Sequence, residues 1–185
     1  MLSMMDWQTA FTLPQLVGWG AFFLGVASFV QTSDVRFKQF MAMECAVYVL
    51  HFALLGQWTA CASATISFGR SLASVRYPSR ATGLFFMVAS LMCGAWFYTS
   101  WVSWLPITAS VLGTFSLFFL KRVRMRLVML VMLVGTLCWL VHNAWVGSIG
   151  GTLLEAVLCL VNAVTLYRMW NLDKQTATIS MKDMT

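Results

Sequence analysis

Seven apolar runs, each close to the length that crosses a bilayer, follow one another along this chain with only short charged or turn-forming breaks between them. A transmembrane helix needs about 20 predominantly apolar residues, with a range of about 17 to 25. In hydrocarbon every backbone N–H and C=O must find its partner within the protein, so runs of this kind form helices. They cover roughly 13–30, 39–55, 58–75, 81–101, 107–120, 127–146 and 152–167, the fifth being the shortest. Composition leaves no soluble alternative. Only 10% of the 185 residues are charged and 60% are hydrophobic, whereas a soluble domain carries about 25% charged residues. The expected fold class is therefore all-α, a polytopic membrane protein with seven transmembrane helices.

The net charge of +6 reads as topology, because the cations sit in short loops with no basic helix interleaved with aromatics; no nucleic-acid partner is expected. Arg36 and Lys38 follow the first run, and Arg76 and Arg80 follow the third. Lys121, Arg122, Arg124 and Arg126 follow the fifth, and Arg168, Lys174 and Lys182 follow the seventh. Lys and Arg mark cytoplasmic loops, so the N-terminus is expected outside, in the periplasm, and the C-terminus in the cytoplasm. Trp7, Trp58, Trp101, Trp104 and Trp145 then fall near the outer ends, where interfacial aromatics anchor. The opening MLSMMDWQTAFTLPQ contains Asp6 and no Lys or Arg, so the first run is expected to be retained rather than cleaved as a signal peptide. The five cysteines, Cys45, Cys61, Cys93, Cys138 and Cys159, all lie inside apolar runs and form no C-x-x-C pair. They read as small buried residues.

Weak internal symmetry accompanies the runs. His51-Phe-Ala-Leu-Leu-Gly56 returns as His142-Asn-Ala-Trp-Val-Gly147, 91 residues later, with His, Ala and Gly identical. Leu24-Gly25-x-x-Ser28 returns as Leu112-Gly113-x-x-Ser116, and Arg36-x-Lys38 as Arg124-x-Arg126, both 88 residues later. Repeats in parallel orientation are a known plan for small transporters. Three helices, one linking helix and three more would satisfy both the count and the shared orientation. That plan divides a single membrane domain into a repeat at about 13–75, a linking helix at about 81–101, a second repeat at about 107–168 and a polar, frayed tail over 169–185.

The run HNAWVGSIGGTLLEA, with Asn162 and Arg168-Met-Trp170, together with RFKQF at Arg36 to Phe40 and HFALLG at His51 to Gly56, resembles the bacterial inner-membrane YgjV family over nearly the whole chain. That family is grouped with the SWEET, PQ-loop and MtN3-like proteins, which are three-plus-one-plus-three bundles that mostly move small solutes. The resemblance implies an inner-membrane, SWEET-like bundle with the same orientation as the charges give. One departure bears on mechanism. Val30, not proline, precedes Gln31 where the Pro-Gln dipeptide would stand, and Pro14, Pro78 and Pro106 all fall at or beyond run ends. Proline-hinged alternating access is therefore not expected. Thr65-Ile-Ser67-Phe-Gly-Arg70 stands where such proteins often offer an asparagine, whereas Asn162 matches that kind of residue.

Polar groups inside the runs are the candidate site, since an isolated charge at mid-bilayer costs at least about 2.5 to 3.5 kcal/mol and needs a partner or water. By depth, His51, His142, Asn143 and Glu155 fall toward the outside, and Glu44, Arg70 and Asn162 toward the inside. Glu44 and Arg70, on consecutive helices, read either as an ion pair locking those helices or as a gating or solute-binding charge. Glu155 with His142 or Asn143 reads either as a hydrogen-bonded clip beneath the Gly147–Gly151 turn or as a protonatable site in a polar cavity. Gln31 and His51 are candidates for a gating or symmetric pair. His51 and His142 could together ligate haem or a metal, yet repeat ancestry accounts for their match unaided; no metal or cofactor is expected. No G-x-S-x-G, H-E-x-x-H or P-loop occurs, and Glu44 and Glu155 are expected in opposite halves of the membrane, too far apart for acid–base work. The chain reads as a non-enzyme. It is expected to be either a small-solute transporter or facilitator, or a membrane scaffold or partner subunit whose polar pairs only hold helices together. Its partners would be lipid, a small polar solute and, by the habit of small relatives of this architecture, a second copy in a homodimer.

Overall fold

The computed structural model describes residues 11–120 and 125–182 and is all-helical over them. Seven α-helices follow in order: α1 (Leu13–Phe29), α2 (Asp34–Leu54), α3 (Trp58–Arg76), α4 (Arg80–Trp96), α5 (Trp104–Phe119), α6 (Met125–Trp145) and α7 (Ile149–Lys182), with a 3-10 turn at Trp101–Ser103 before α5. They match the seven apolar runs in order. Trp101–Phe119, Leu127–Trp145 and Ile149–Leu172 are long and apolar enough to cross a membrane, and α1 and α4 are apolar but shorter.

Local sequence explains the helix ends. Pro14 occupies the first turn of α1, where its missing N–H would have had no helical partner. Ser79 caps α4, its side chain accepting from Thr82 N at 3.1 Å. Gly56 and Gly147, at φ 69° and 75°, are the only described residues with positive φ. Each supplies the left-handed residue that ends a helix in a Schellman turn. Gln57 N donates to Phe52 O at 2.8 Å, and Ser148 N donates to Asn143 O at 2.9 Å. These two turns are 91 positions apart, the spacing of the sequence echo.

Six helices close a ring in which neighbours touch in the order α1, α2, α3, α5, α6, α7 and back to α1; α4 packs outside, against α3 and α5. The ring is inside out compared with a soluble bundle. Its buried positions include Ser28, Ser63, Ser67, Ser71, Ser74, Ser110, Thr114, Thr136 and Ser148, while Phe23, Phe85, Met92 and Leu160 are about two-thirds exposed on the outside. Lipid tails are as apolar as leucine, so helices gain by burying small and polar groups against each other. Ser63 Oγ bonds Pro106 O at 2.9 Å and Thr59 Oγ1 bonds Phe97 O at 2.6 Å, tying α3 to its neighbours.

The helices alternate in direction. One end of the ring, the turn end, gathers the start of α1, the α2–α3 and α6–α7 turns and the Trp101–Trp145 ring contact at 5.6 Å. The opposite end, the charged end, carries Arg36, Arg76 and Arg80. Trp58, Trp101, Trp104 and Trp145 are exposed at the turn end; Trp7 and the Lys121–Arg124 part of the basic cluster lie outside the described residues. Three sequence expectations change. α2 begins five residues before the expected boundary, because Arg36 and Lys38 sit within its first turns instead of breaking it. α5 starts at Trp104, with Pro106 tolerated in its first turn. The tail is not frayed as far as Lys182, because α7 continues as one helix of 34 residues, about 51 Å at 1.5 Å per residue.

Candidate functional site

Where three helix ends meet, the turn end is closed by polar ties. Gln15, on the first turn of α1, donates through Nε2 to Gly147 O at 2.7 Å and accepts from Ile149 N at 3.0 Å. His51, fully buried on α2, uses both ring nitrogens: Nδ1 lies 2.7 Å from Pro14 O and Nε2 lies 2.7 Å from Ser148 Oγ. A neutral imidazole donates through one nitrogen and accepts through the other. Here Nδ1 faces a carbonyl and must donate, so Nε2 accepts from the serine hydroxyl. Just below, Gly150 meets Gly18: a Cβ on Gly150 would stand 2.5 Å from Gly18 O. Only a hydrogen side chain permits that crossing of α1 and α7.

Beneath this closure the ring encloses a cavity of about 150 Å³ to which each of its six helices contributes and α4 does not. Glu44, Cys45 and Tyr48 come from α2, Ser67 and Arg70 from α3, Gly113 from α5, Thr136, Trp139 and Asn143 from α6, and Glu155 from α7. Phe29 and Phe37, packed edge to face at 5.8 Å, line it toward the charged end. Two glycines make room for its charges. A Cβ on Gly113 would lie 2.7 Å from Arg70 Nη1, and one on Gly25 would lie 2.6 Å from Leu154 Cδ2 and 3.3 Å from Glu44 Cδ. Gly25 and Gly113 are the equivalent glycines of the 88-residue echo.

The charges are not paired with one another. Arg70 is buried and donates through Nη1 to Ser110 O at 3.0 Å and to Thr114 Oγ1 at 3.2 Å, while its Nε has no partner. The expected Glu44–Arg70 lock between α2 and α3 is therefore replaced by a neutral contact from α3 to α5. Glu155 does not clip to His142 or Asn143 either. Asn143 Nδ2 and Oδ1 and His142 Nδ1 are buried without hydrogen-bond partners, as is Tyr48 Oη. With Arg70 Nε these make five orphaned atoms among the described residues, and every one except that of His142 belongs to a cavity-lining residue.

Of the residues singled out from sequence, Glu44, Arg70, Asn143 and Glu155 come together around the cavity. Glu44 and Glu155 are not in separate halves: they line the same space. Counting rise explains this. Glu44 is ten residues before the end of α2 and Glu155 six after the start of α7, which puts their depths only about 6 Å apart. The others stand elsewhere. His142 is packed edge-on to Phe52 and Trp139, with ring centroids 5.7 and 5.8 Å away. Asn162 is half-buried, beyond Leu158 where the α7 lining stops. Gln31 bonds back to Ala27 O at 3.0 Å and finishes α1. His51 belongs to the turn-end tie, so it pairs with Ser148 and Pro14 and not with Gln31.

Gln15, Tyr48, Ser148 and the hydroxyls of α3 were not anticipated. The α3 signal was available, for Ser63, Ser67, Ser71 and Ser74 recur at helical spacing and all are buried, a polar stripe facing inward. Gln15 and Ser148 had no such pattern.

The family described as bacterial inner membrane protein, Imp-YgjV, matches this chain over residues 12–173. The chain belongs to the YgjV family. Inner membrane protein YgjV of Escherichia coli (strain K12) is 36% identical to it over 167 residues, covering 90% of each chain. No solved structure matches. The matched region of this YgjV-family chain takes in five of the six ring helices whole, α7 as far as residue 173, and every lining residue named above. Membership fixes the surroundings of the exposed apolar shell as the lipid of a bacterial inner membrane.

Proposed function

We propose that this YgjV-family protein carries a small polar solute across the inner membrane through the central cavity, between two parallel three-helix halves joined by α4. The halves are α1–α3 and α5–α7, the SWEET-like plan. In this plan α1 corresponds to α5, α2 to α6 and α3 to α7, so the α3–α5 and α7–α1 contacts are one junction seen twice. The equivalent Schellman turns at Gly56 and Gly147, and the equivalent glycines 25 and 113 beside charged side chains, support it. The N-terminus is periplasmic and the C-terminus cytoplasmic, from the positive charges at the charged end. In that orientation the cavity runs toward the cytoplasm and is shut on the periplasmic side by Gln15, His51 and Ser148.

One observation carries the reading: Tyr48, Arg70 and Asn143, each more than nine-tenths buried and each with a polar atom that has no hydrogen-bond partner, line one cavity together with Glu44 and Glu155. Buried polar atoms are ordinarily satisfied, and in a scaffold these would pair with each other. The scaffold reading describes the turn end, where Gln15 and His51 are fully engaged, but not the cavity. The test is solute and proton flux in proteoliposomes with sugars, nucleosides and amino acids, using Glu155→Gln and Arg70→Ala. Uptake of one solute class, lost in both variants while they remain folded, supports transport. No flux for any solute, with both variants less stable in detergent, would leave the scaffold.

A further inference from the structure

We propose that the cavity binds a small zwitterion, the size of the smaller α-amino acids, with its ammonium group toward Glu44 and Glu155 and its anionic group toward Arg70. This rests on the reading of the cavity as a solute path. The charges inside the ring are separated and not neutralised by each other. Arg70 spends Nη1 on two neutral oxygens of α5. Arg70 lies against Gly113 of α5, whereas Glu44 lies against Gly25 of α1 and Glu155 enters from α7, next to α1 in the ring. The space thus has an acidic lobe and a basic lobe with no ion pair bridging them.

Charges in a low-dielectric interior need opposite partners. A neutral polyol leaves all three without one. A simple amine serves the carboxyls and leaves the guanidinium; a simple acid does the reverse and is repelled by the carboxyls. A solute with both charges serves both lobes at once. The lining suits it as well, for Asn143 carries an unpartnered acceptor and donor on one amide, Tyr48 an unpartnered hydroxyl and Arg70 an unpartnered N–H. Size sets the limit. The cavity of about 150 Å³ is on the order of one that encloses a benzene molecule, so a solute with few more heavy atoms than that fits.

The experiment is calorimetric titration of the full chain in lipid nanodiscs with alanine, ethanolamine, lactate and glycerol, alongside uptake of the same compounds into proteoliposomes. Alanine should bind most tightly, the other three at least roughly tenfold more weakly, as expected for loss of a charged hydrogen-bonded contact. Glu155→Gln should weaken alanine and ethanolamine by a similar factor and spare lactate. Arg70→Gln should weaken alanine and lactate and spare ethanolamine. That crossed pattern cannot come from a general loss of structure, and if Arg70→Gln does not fold, the ligand ranking on the unaltered chain still decides. Glycerol, lactate or ethanolamine binding as tightly as alanine would overturn the zwitterion while leaving a solute path. Neither binding nor uptake of any of the four would overturn the zwitterion, and the flux of sugars and nucleosides would then decide the path by itself.

Discussion

Replacing Gly150 by alanine should destabilise the protein far more than one methyl group suggests. The added Cβ would sit 2.5 Å from Gly18 O, 2.6 Å from Gly18 C and 3.0 Å from Trp19 N, all backbone atoms of α1. No side chain can swing away, so the helices themselves must separate by about 0.9 Å to reach the 3.4 Å at which ordinary contact begins. That shift would lengthen the Gln15 bonds to Gly147 O and Ile149 N, now 2.7 and 3.0 Å, to about 3.6 and 3.9 Å, where they no longer count as hydrogen bonds. Overpacking costs about 1–3 kcal/mol and each lost bond about 0.5–1.5 kcal/mol, so the total is about 2–6 kcal/mol. Gly20→Ala is the control: its nearest neighbour would be Val47 Cγ1 at 3.8 Å, and its effect should stay within about 0.5 kcal/mol. Unfolding in mixed micelles with increasing SDS, followed by circular dichroism, measures both. If Gly150→Ala fell within about 0.5 kcal/mol of Gly20→Ala, the α1–α7 crossing would not be the rigid contact described, and the reasoning would fail.

His51→Leu removes both ties from α2 to the turn end and should cost about 1–3 kcal/mol in the same unfolding assay, while leaving solute affinity unchanged because His51 does not line the cavity. Combined with Gly150→Ala it should cost less than the two separately, since both act where α1 and α7 meet; strict additivity would argue against a shared tie. A variant keeping only Cys45 of the five cysteines should react with a membrane-impermeant thiol reagent from the cytoplasmic face and be protected by bound solute. Labelling from the periplasmic face alone would reverse the proposed opening. Green fluorescent protein fused after Thr185 should fluoresce, and alkaline phosphatase there should be inactive, with the opposite pair of results inverting the orientation.

The helices were legible because each is marked by a run of apolar residues and a break, signals that need no knowledge of neighbours. Their ends were less so. Arg36 and Lys38 looked like a loop, yet α2 begins at Asp34 and holds both within its first turns, with Lys38 buried. The site was legible as a set of residue types and not as a set of pairs. Glu44, Arg70, Asn143 and Glu155 stood out as costly groups in apolar runs, but helices with apolar residues on every side do not reveal which face points inward. Arg70 turned to α5 because Gly113 leaves a space for its guanidinium, a fact about a distant glycine. The carboxyls were misplaced because helix boundaries off by a few residues change depth by several ångströms, enough to move Glu44 from one half of a membrane to the other.

In the proposed two-half plan, α4 braces one junction of the ring and not the other. It lies outside the seam between α3 and α5, touching both, so the covalent chain limits how far those helices can part. Among the described residues no further helix spans α1 and α7, which hold through their own packing, a glycine crossing and the Gln15 bonds. In mechanical terms the ring has a hinge side and a latch side. A force that spread the two halves would open the latch first, and the latch is made of Gln15, Gly18, His51, Ser148 and Gly150.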